Sequence, residues 1–78
     1  MDPEVWGPHG WYFLHSITLA YPDNPTEDDK MYHKNFFESL KNILPCEKCR
    51  NHYDKTLTTY PIENNLDNKE SLFKWLVD

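Results

Sequence analysis

Prolines divide this 78-residue chain into short segments. Pro8 suits the first position of a helix, whereas Pro22, Pro45 and Pro61 each end one, because proline lacks an amide N–H and clashes with the preceding turn. Between the prolines, apolar residues recur every three or four positions, and no segment alternates as a strand would. The sequence therefore predicts an all-α protein, a four-helix antiparallel bundle with short connections.

The predicted helices cover residues 8–21, 27–44, 46–60 and 69–78. Ahead of them, Asp2 and Pro3 are expected to start a short helical turn, as cap and first residue. We expect Gly7 and Pro8 to interrupt the chain between that turn and the first helix. The first helix is apolar almost all round, which predicts a central position or a surface covered by a second chain.

Local signals also define the later helices. Thr26 is a good N-cap, the acids after it resemble a capping box, and Asn68 can cap the fourth helix. Residues 62–67 are predicted to be a polar connector. The predicted inward-facing residues are His33, Phe36, Phe37, Leu40, Ile43 and Leu44 on the second helix, and Cys46, Cys49, Tyr53, Leu57 and Tyr60 on the third.

The length predicts one small domain covering residues 1–78. At this size a hydrophobic core alone usually gives only marginal stability, so we expect a stabilising crosslink, a bound cofactor or a partner chain. Three Trp, five Tyr and four Phe provide much ring area, for the core or for a flat ligand. The net charge of −5, with no basic block, argues against nucleic acid as a partner. No run of about 18 apolar residues is present, so no membrane span is predicted.

The two cysteines, Cys46 and Cys49, form a C-x-x-C pair at the predicted start of the third helix. Unpaired amides and the positive end of the helix dipole favour the thiolate form of both. The first sulfur of such a pair is commonly the more exposed, and the second lies one turn deeper. Cys46 could thus exchange with a substrate thiol while Cys49 faces a buried electron acceptor.

Other uses of this pair stay open on spacing alone. The thiols could form a fixed disulfide or remain idle, in a non-catalytic helical interaction module or an inactive fragment. Cys46, Cys49 and His52 could also bind zinc, with a fourth ligand from elsewhere in the chain, namely His9, His15 or His33. We expect no bound metal, and His15 is by default a hydrogen-bonded core histidine.

A set of short motifs extends over nearly the whole chain. In order they are Trp6-Gly7-Pro8-His9-Gly10-Trp11, Leu14-His15, Tyr21-Pro22, Phe36-Phe37, Pro45-Cys46-Glu47-Lys48-Cys49 with His52, Ser71-Leu72 and Trp75-Leu76. Their order and spacing resemble the Erv/ALR sulfhydryl oxidases, small FAD-binding helical domains that make disulfides. The resemblance implies a bundle that holds the isoalloxazine of FAD beside the cysteine pair, usually as a homodimer.

The resemblance also implies a reaction. A thiol of a substrate protein attacks Cys46, the pair is reduced, Cys49 passes two electrons to FAD, and oxygen reoxidises the flavin to give hydrogen peroxide. The family positions that line or support the flavin site correspond here to Trp6, Gly7, Trp11, His15, Tyr21 and His52. The leading hypothesis is therefore an FAD-linked thiol oxidase whose partners are thiol-containing proteins and molecular oxygen.

Two departures from the family pattern affect these expectations. Many members have Arg where this chain has Pro8, although compact virus-encoded relatives tolerate Pro there. The family also continues after Trp-Leu with a His-Asn-x-Val-Asn segment, whereas this sequence stops at Asp78. We therefore expect a domain that is incomplete at its C-terminal end and lacks a fifth short helix. The expected site of action is the cytoplasm of a virus-infected cell or the virion, with the mitochondrial intermembrane space as the alternative.

Overall fold

The computed structural model describes residues 2–77 and is all-α over that range, which confirms the predicted fold class. This range contains four α-helices and two short 3₁₀ turns, and no strand occurs between residues 2 and 77. The elements are α1 (Pro3–Leu19), α2 (Glu27–Ser39), a first 3₁₀ turn (Leu40–Asn42), α3 (Glu47–Thr59), a second 3₁₀ turn (Ile62–Asn65) and α4 (Lys69–Val77).

Helix α1 is continuous, so the predicted interruption at Gly7 and Pro8 is wrong. The predicted cap is confirmed, because Asp2 Oδ1 accepts a hydrogen bond from the amide of Glu4 at 2.9 Å. Pro8 lies inside the helix and removes one backbone donor. The residue before a proline normally avoids the α conformation, partly because its Cβ clashes with the proline ring. Gly7 has no Cβ, which lets the helix pass through this position.

Helix α2 begins as predicted but ends earlier. Thr26 and Asp29 form the full capping box, with hydrogen bonds of 2.9 and 3.0 Å between backbone amides and side-chain oxygens. The α-helix stops at Ser39, and the chain tightens into the first 3₁₀ turn instead of continuing to residue 44. This tightening changes which side chains point inward. Leu44 is buried, whereas Ile43, predicted to face the core, is 63% exposed.

The chain between α3 and α4 contributes to the core, so its prediction as a polar connector is wrong. Ile62 and Leu66, at the two ends of the second 3₁₀ turn, are 1% and 5% exposed. Tyr60 leaves the helical conformation as the C-cap of α3 and is exposed rather than inward-facing. Asn68 caps α4 as predicted, accepting from the amide of Ser71 at 2.8 Å. The predicted last residue of that helix, 78, lies outside the described range.

The core joins all four helices and both turns. Its buried apolar members are Leu14, Tyr21, Phe37, Leu40, Leu44, Tyr53, Ile62, Leu66 and Leu72. The two tyrosines satisfy their hydroxyls inside it, Tyr21 by donating to the carbonyl of Leu66 and Tyr53 by donating to that of Phe37. Helix α1 packs against α4, and the side of these helices that faces α3 is left open as a cavity.

Candidate active site

A cavity of about 580 Å³ opens between α1, α3 and α4. This volume lies within the range of sites that hold small organic ligands. Its lining residues are Trp11 and His15 from α1, Lys48, Cys49, His52, Tyr53 and Thr56 from α3, and Trp75, Leu76 and Val77 from α4. One cysteine of the pair, Cys49, is therefore part of the wall of this cavity.

Aromatic rings form much of this wall. The ring of Trp11 lies 6.4 Å from that of Tyr53, tilted by 38°. Trp75 packs edge-on against the buried Phe37 at 5.8 Å, and its indole Nε1 donates to the carbonyl of Tyr60 at 2.7 Å. Because these contacts hold the rings in place without a ligand, the cavity presents a preformed aromatic surface suited to a flat conjugated molecule.

The two cysteines occupy different places at the start of α3. Cys46 is the N-cap, and its Sγ accepts a hydrogen bond from the amide of Cys49 at 3.3 Å. Cys49 lies one turn further along the helix, and it lines the cavity while Cys46 does not. Both are free thiols and both are half-buried. The pair thus lies at the edge of the cavity, with Cys49 in its wall and Cys46 outside the wall.

The hydrogen bonding of the pair separates the acidities of its two thiols. The pKa of Cys46 is lowered, first by a hydrogen bond from the Cys49 thiol and then by the amides of Cys49 and Lys48. The pKa of Cys49 is raised, because its thiol donates to Cys46 and because it is partly desolvated. The sequence-based expectation that both cysteines favour the thiolate is therefore correct only for Cys46.

Two histidines line the cavity in different ways. His15 packs beside Phe73 with ring centroids 5.8 Å apart, and its Nδ1 is buried without a hydrogen-bond partner anywhere in residues 2–77. The default expectation of a hydrogen-bonded core histidine is thus wrong for this nitrogen. His52 is largely exposed at the cavity edge. In the described part of the chain, no three His, Cys, Asp or Glu side chains come together as a metal site, so the zinc alternative has no support.

Three residues predicted to line or support the flavin site lie elsewhere. Tyr21 is buried in the core, where it packs edge-on against His33. Trp6 packs at the border of the core, and its ring lies over Gly10, where an added Cβ would come within 3.3 Å. Gly7 is buried in α1, yet an added Cβ there would meet no atom within 4 Å apart from its chain neighbours and its own helix backbone. Cofactor contact by these three residues stays a prediction.

Several lining residues were missed from the sequence. Lys48, Tyr53 and Thr56 lie with Cys49 and His52 on one face of α3. Trp75 contributes from α4. Steps of three and four residues from Cys49 could have identified Tyr53 and Thr56, since they continue the face on which that cysteine lies.

Comparison with known proteins now identifies the chain. A model of the Erv1 / Alr family matches residues 8–78. The protein belongs to the Erv1 / Alr family. It is 47% identical to a probable FAD-linked sulfhydryl oxidase of Acanthamoeba polyphaga mimivirus, over 100% of this chain and 55% of the relative. It is 32% identical to the mitochondrial FAD-linked sulfhydryl oxidase Erv1 of Saccharomyces cerevisiae, over 99% of this chain and 40% of the relative.

A solved structure of this family shows the same architecture. The crystal structure of the yeast Erv1 core superposes with a TM-score of 0.90 at 29% identity, covering 97% of this chain and 63% of that one. The Erv1 / Alr fold predicted from the motifs is therefore confirmed. This chain spans about half the length of the curated relatives that it matches.

Proposed function

We propose that this Erv1 / Alr family protein is an FAD-dependent thiol oxidase that forms disulfides in substrate proteins and passes the electrons to oxygen. The observation that carries the proposal is the placement of the cysteine pair, with Cys49 in the wall of an aromatic cavity and Cys46 outside it. Relatives named as FAD-linked sulfhydryl oxidases support the same assignment. The structure offers no comparable support for a metal-bound or purely structural role of the pair.

The residues of the cavity fit the flavin of FAD. Trp11, Tyr53 and Trp75 present ring surfaces to a flat conjugated system, and His15 provides a buried nitrogen that lacks a partner within residues 2–77. Lys48 adds a positive charge at the same wall. When bound, FAD would accept the two electrons of the reduced cysteine pair and transfer them to oxygen, yielding hydrogen peroxide.

In the thiol half of the reaction, a substrate thiolate attacks Sγ of Cys46 in the oxidised pair. The bond between the two cysteines breaks, a mixed disulfide forms at Cys46, and Cys49 leaves as a thiolate. A second substrate thiolate then attacks the substrate sulfur of this mixed disulfide and releases Cys46. Two substrate thiols are thereby oxidised to one disulfide, and the pair is reduced. Because its pKa is lowered, Cys46 is the better leaving group in the second step.

The test combines a visible spectrum of the purified protein with oxygen consumption in the presence of dithiothreitol. We expect flavin absorption and steady oxygen uptake by the unmodified protein. Cys49→Ser should retain the flavin and lose oxygen uptake, because the dithiol can no longer form. Tyr12→Phe changes a 77% exposed side chain and serves as the control. A colourless protein, or normal turnover by Cys49→Ser, would contradict the proposal.

We further propose that the protein acts as a homodimer through a surface shared by α1 and α2. Ile17 on α1 joins Tyr32, His33 and Phe36 on α2 in lining a shallow apolar groove of about 220 Å³. Phe13, one helical turn before Ile17, is 63% exposed and extends this surface. Exposed apolar surface of this kind is unfavourable in a monomer and is covered when two copies associate.

Sedimentation velocity tests the dimer directly. Phe36→Glu places a charge in the groove and should convert a dimer into a monomer, whereas Ile43→Glu changes an apolar residue that is exposed away from it. A monomeric unmodified protein would contradict the dimer without affecting the proposed oxidase. The virus-infected cytoplasm or virion stays a prediction for its site of action, and fractionation of infected cells would measure it.

A further inference from the structure

The chain just before Cys46 forms a very tight turn. The amide of Cys46 donates to the carbonyl of Leu44 at 2.8 Å, which closes a three-residue turn with Pro45 at its centre. Such a turn leaves little freedom in the direction from which Cys46 enters α3. Because Cys46 caps that helix through its sulfur, the position of Sγ depends on the conformation of this turn.

The side chain of Arg50 holds the same turn from the other side. Its Nη1 donates to the carbonyl of Leu44 at 2.6 Å, and the bond is partly buried. The backbone amide of Arg50 also donates to the carbonyl of Cys46 at 2.9 Å. One residue in the first turn of α3 is therefore bonded to both ends of the Leu44–Pro45–Cys46 segment. The guanidinium bond is charge-assisted, which makes it stronger than an ordinary amide bond.

Leu44 is a firm anchor for this arrangement. Its side chain is 5% exposed within the core, and its amide donates to the carbonyl of Leu40 at 3.1 Å. The Leu44 carbonyl thus receives two donors while the rest of the residue is held by the core. Arg50 connects the start of α3 to this fixed point, so the active-site turn cannot shift without breaking the guanidinium bond.

We infer that Arg50 is a positioning residue for the proposed reaction, whose guanidinium holds the Leu44–Pro45–Cys46 turn so that Cys46 Sγ stays on the amides that open α3. The inference rests on the proposed oxidase for its functional meaning, but its physical content concerns the reduced pair alone. When the hydrogen bond from Arg50 to the Leu44 carbonyl is lost, Cys46 spends less time as the N-cap. Its thiolate is then less stabilised, so a smaller fraction of Cys46 is ionised near neutral pH and the residue is alkylated more slowly.

The experiment measures the rate at which iodoacetamide alkylates Cys46 in the reduced protein, as a function of pH. Tryptic cleavage after Lys41 and Lys48 leaves Cys46 in a peptide without Cys49, so mass spectrometry reports the alkylation of Cys46 separately. In Arg50→Met we expect alkylation of Cys46 at pH 7 to be about two- to tenfold slower, the effect of one hydrogen bond, with the pH midpoint shifted upward. Pro45→Ala, which loosens the turn from its other side, should shift the midpoint in the same direction.

Two further variants distinguish the effect of the Arg50–Leu44 hydrogen bond from that of the positive charge of Arg50. Lys55→Met removes a positive charge from an exposed position on α3 and should leave the Cys46 profile unchanged. Arg50→Lys keeps the charge but lacks the planar fork, so it should recover less than half of the lost rate. Full recovery by Arg50→Lys, an equal loss in Lys55→Met, or an unchanged Cys46 profile in Arg50→Met would overturn the inference.

These outcomes are independent of the cofactor. A protein that binds no flavin but shows the predicted Cys46 profiles would contradict the oxidase and support the positioning role of Arg50. A protein that binds flavin and consumes oxygen, yet keeps the unmodified alkylation profile in Arg50→Met, would support the oxidase and contradict the positioning role of Arg50. Circular dichroism and thermal unfolding of each variant show whether the fold is retained, and Arg50→Lys and Pro45→Ala provide the measurement if Arg50→Met does not fold.

Discussion

At the scale of single residues, two glycines of α1 differ in what surrounds them. A Cβ at Gly7 would meet no atom within 4 Å, whereas a Cβ at Gly10 would come within 3.3 Å of the Trp6 ring. Neither has a positive φ, but Gly7 precedes Pro8, where a Cβ would oppose the helical conformation. Apart from its chain neighbours and its own helix backbone, Gly7 has free space on its Cβ side.

We predict that Gly7→Ala changes the stability of the flavin-free protein by less than about 1 kcal/mol, because the gain in helix propensity is opposed by the clash of the new Cβ with the Pro8 ring. The same change should weaken flavin retention if the predicted contact is made. Urea unfolding and the ratio of flavin to protein absorbance measure the two effects. Gly10→Ala is the matched comparison, since it crowds Trp6. Unchanged flavin content in Gly7→Ala would remove Gly7 from the predicted site.

Tyr21 is a residue whose role the structure redefines. Its hydroxyl donates to the carbonyl of Leu66 at 2.6 Å across the core, and it packs edge-on against His33. Burial, followed by the nearby acids Asp29, Asp67 and Glu27, raises its pKa above the ordinary value of 10.0. This environment is that of a structural hydroxyl, which bridges the end of α1 to the chain before α4.

Tyr21→Phe should lower the free energy of unfolding by about 1–3 kcal/mol at neutral pH, because it leaves the Leu66 carbonyl without its buried partner. Since the folded pKa is raised, the stabilisation is complete below pH 10.0 and is lost as pH rises toward the folded value. The difference between the two proteins should therefore shrink above that pH. Chemical unfolding across this range measures it, with the exposed Tyr12→Phe as control. A difference that grows with pH would contradict this account.

At the scale of the elements, α2 shows how local chemistry sets a helix start. The Asp29 carboxylate accepts the amide of Thr26, and the Thr26 hydroxyl accepts the amide of Asp29. Hydrogen bonding of the carboxylate to the amide of Thr26, followed by its bonding to the Thr26 side chain, lowers the pKa of Asp29 below its ordinary value of 3.8. The box therefore depends on the ionised form of one residue.

Asp29→Ala should destabilise the protein at pH 7 and lower its melting temperature. Because the folded pKa of Asp29 is lowered, its contribution is present above pH 3.8 and is lost as pH falls through the folded value. The gap in melting temperature should accordingly close in acid. Calorimetry at several pH values measures this gap, with Asp28→Ala, an exposed acid of the same turn, as the control. A gap that is constant down to acid pH would exclude the carboxylate as its cause.

The elements that could be predicted from the sequence are those defined by neighbouring residues. The Asp2, Thr26 and Asn68 caps are local interactions, and all three were identified correctly. The errors arose where distant packing overrides local preference. Burial of Ile62 and Leu66 draws a polar-looking connector into the core.

The functional residues could likewise be predicted only where local sequence, and not distant packing, defines them. Motifs identified Cys46 and Cys49, and also Trp11 and His15, which the structure brings to the cavity together with Cys49. Lys48 and Trp75 were missed, because their positions on the wall depend on how α3 and α4 are oriented relative to α1. Helical spacing shows which residues share a face, but only the packing of the helices shows what that face encloses.

At the scale of the whole molecule, the indole of Trp75 connects the wall of the cavity to the helices that surround it. Trp75 on α4 lines the cavity, packs on Phe37 of α2, and donates to the carbonyl of Tyr60 at the end of α3. It therefore links three helices through a single side chain. The shape of the cavity depends on these contacts as much as on its lining residues.

Trp75→Phe should lower the free energy of unfolding by about 1 kcal/mol through loss of the indole hydrogen bond, with a further cost from reduced packing. Flavin retention should fall as well, because the ring that closes one side of the cavity becomes smaller and less fixed. Tyr60→Phe is the matched control, since it alters the exposed side chain and leaves the accepting carbonyl in place. Equal loss of flavin in both variants would show that the indole bond is not the cause.

The first turn of α3 separates the cavity from the surface around Cys46. Cys49 borders the cavity and Cys46 lies beyond it, so in the proposed reaction electrons cross through one covalent bond while the substrate remains outside. If that reaction takes place, the dimensions of the cavity place no limit on the size of the substrate protein. Substrate choice would then depend on the surface around Cys46, and it could change in evolution without altering the residues that line the cavity.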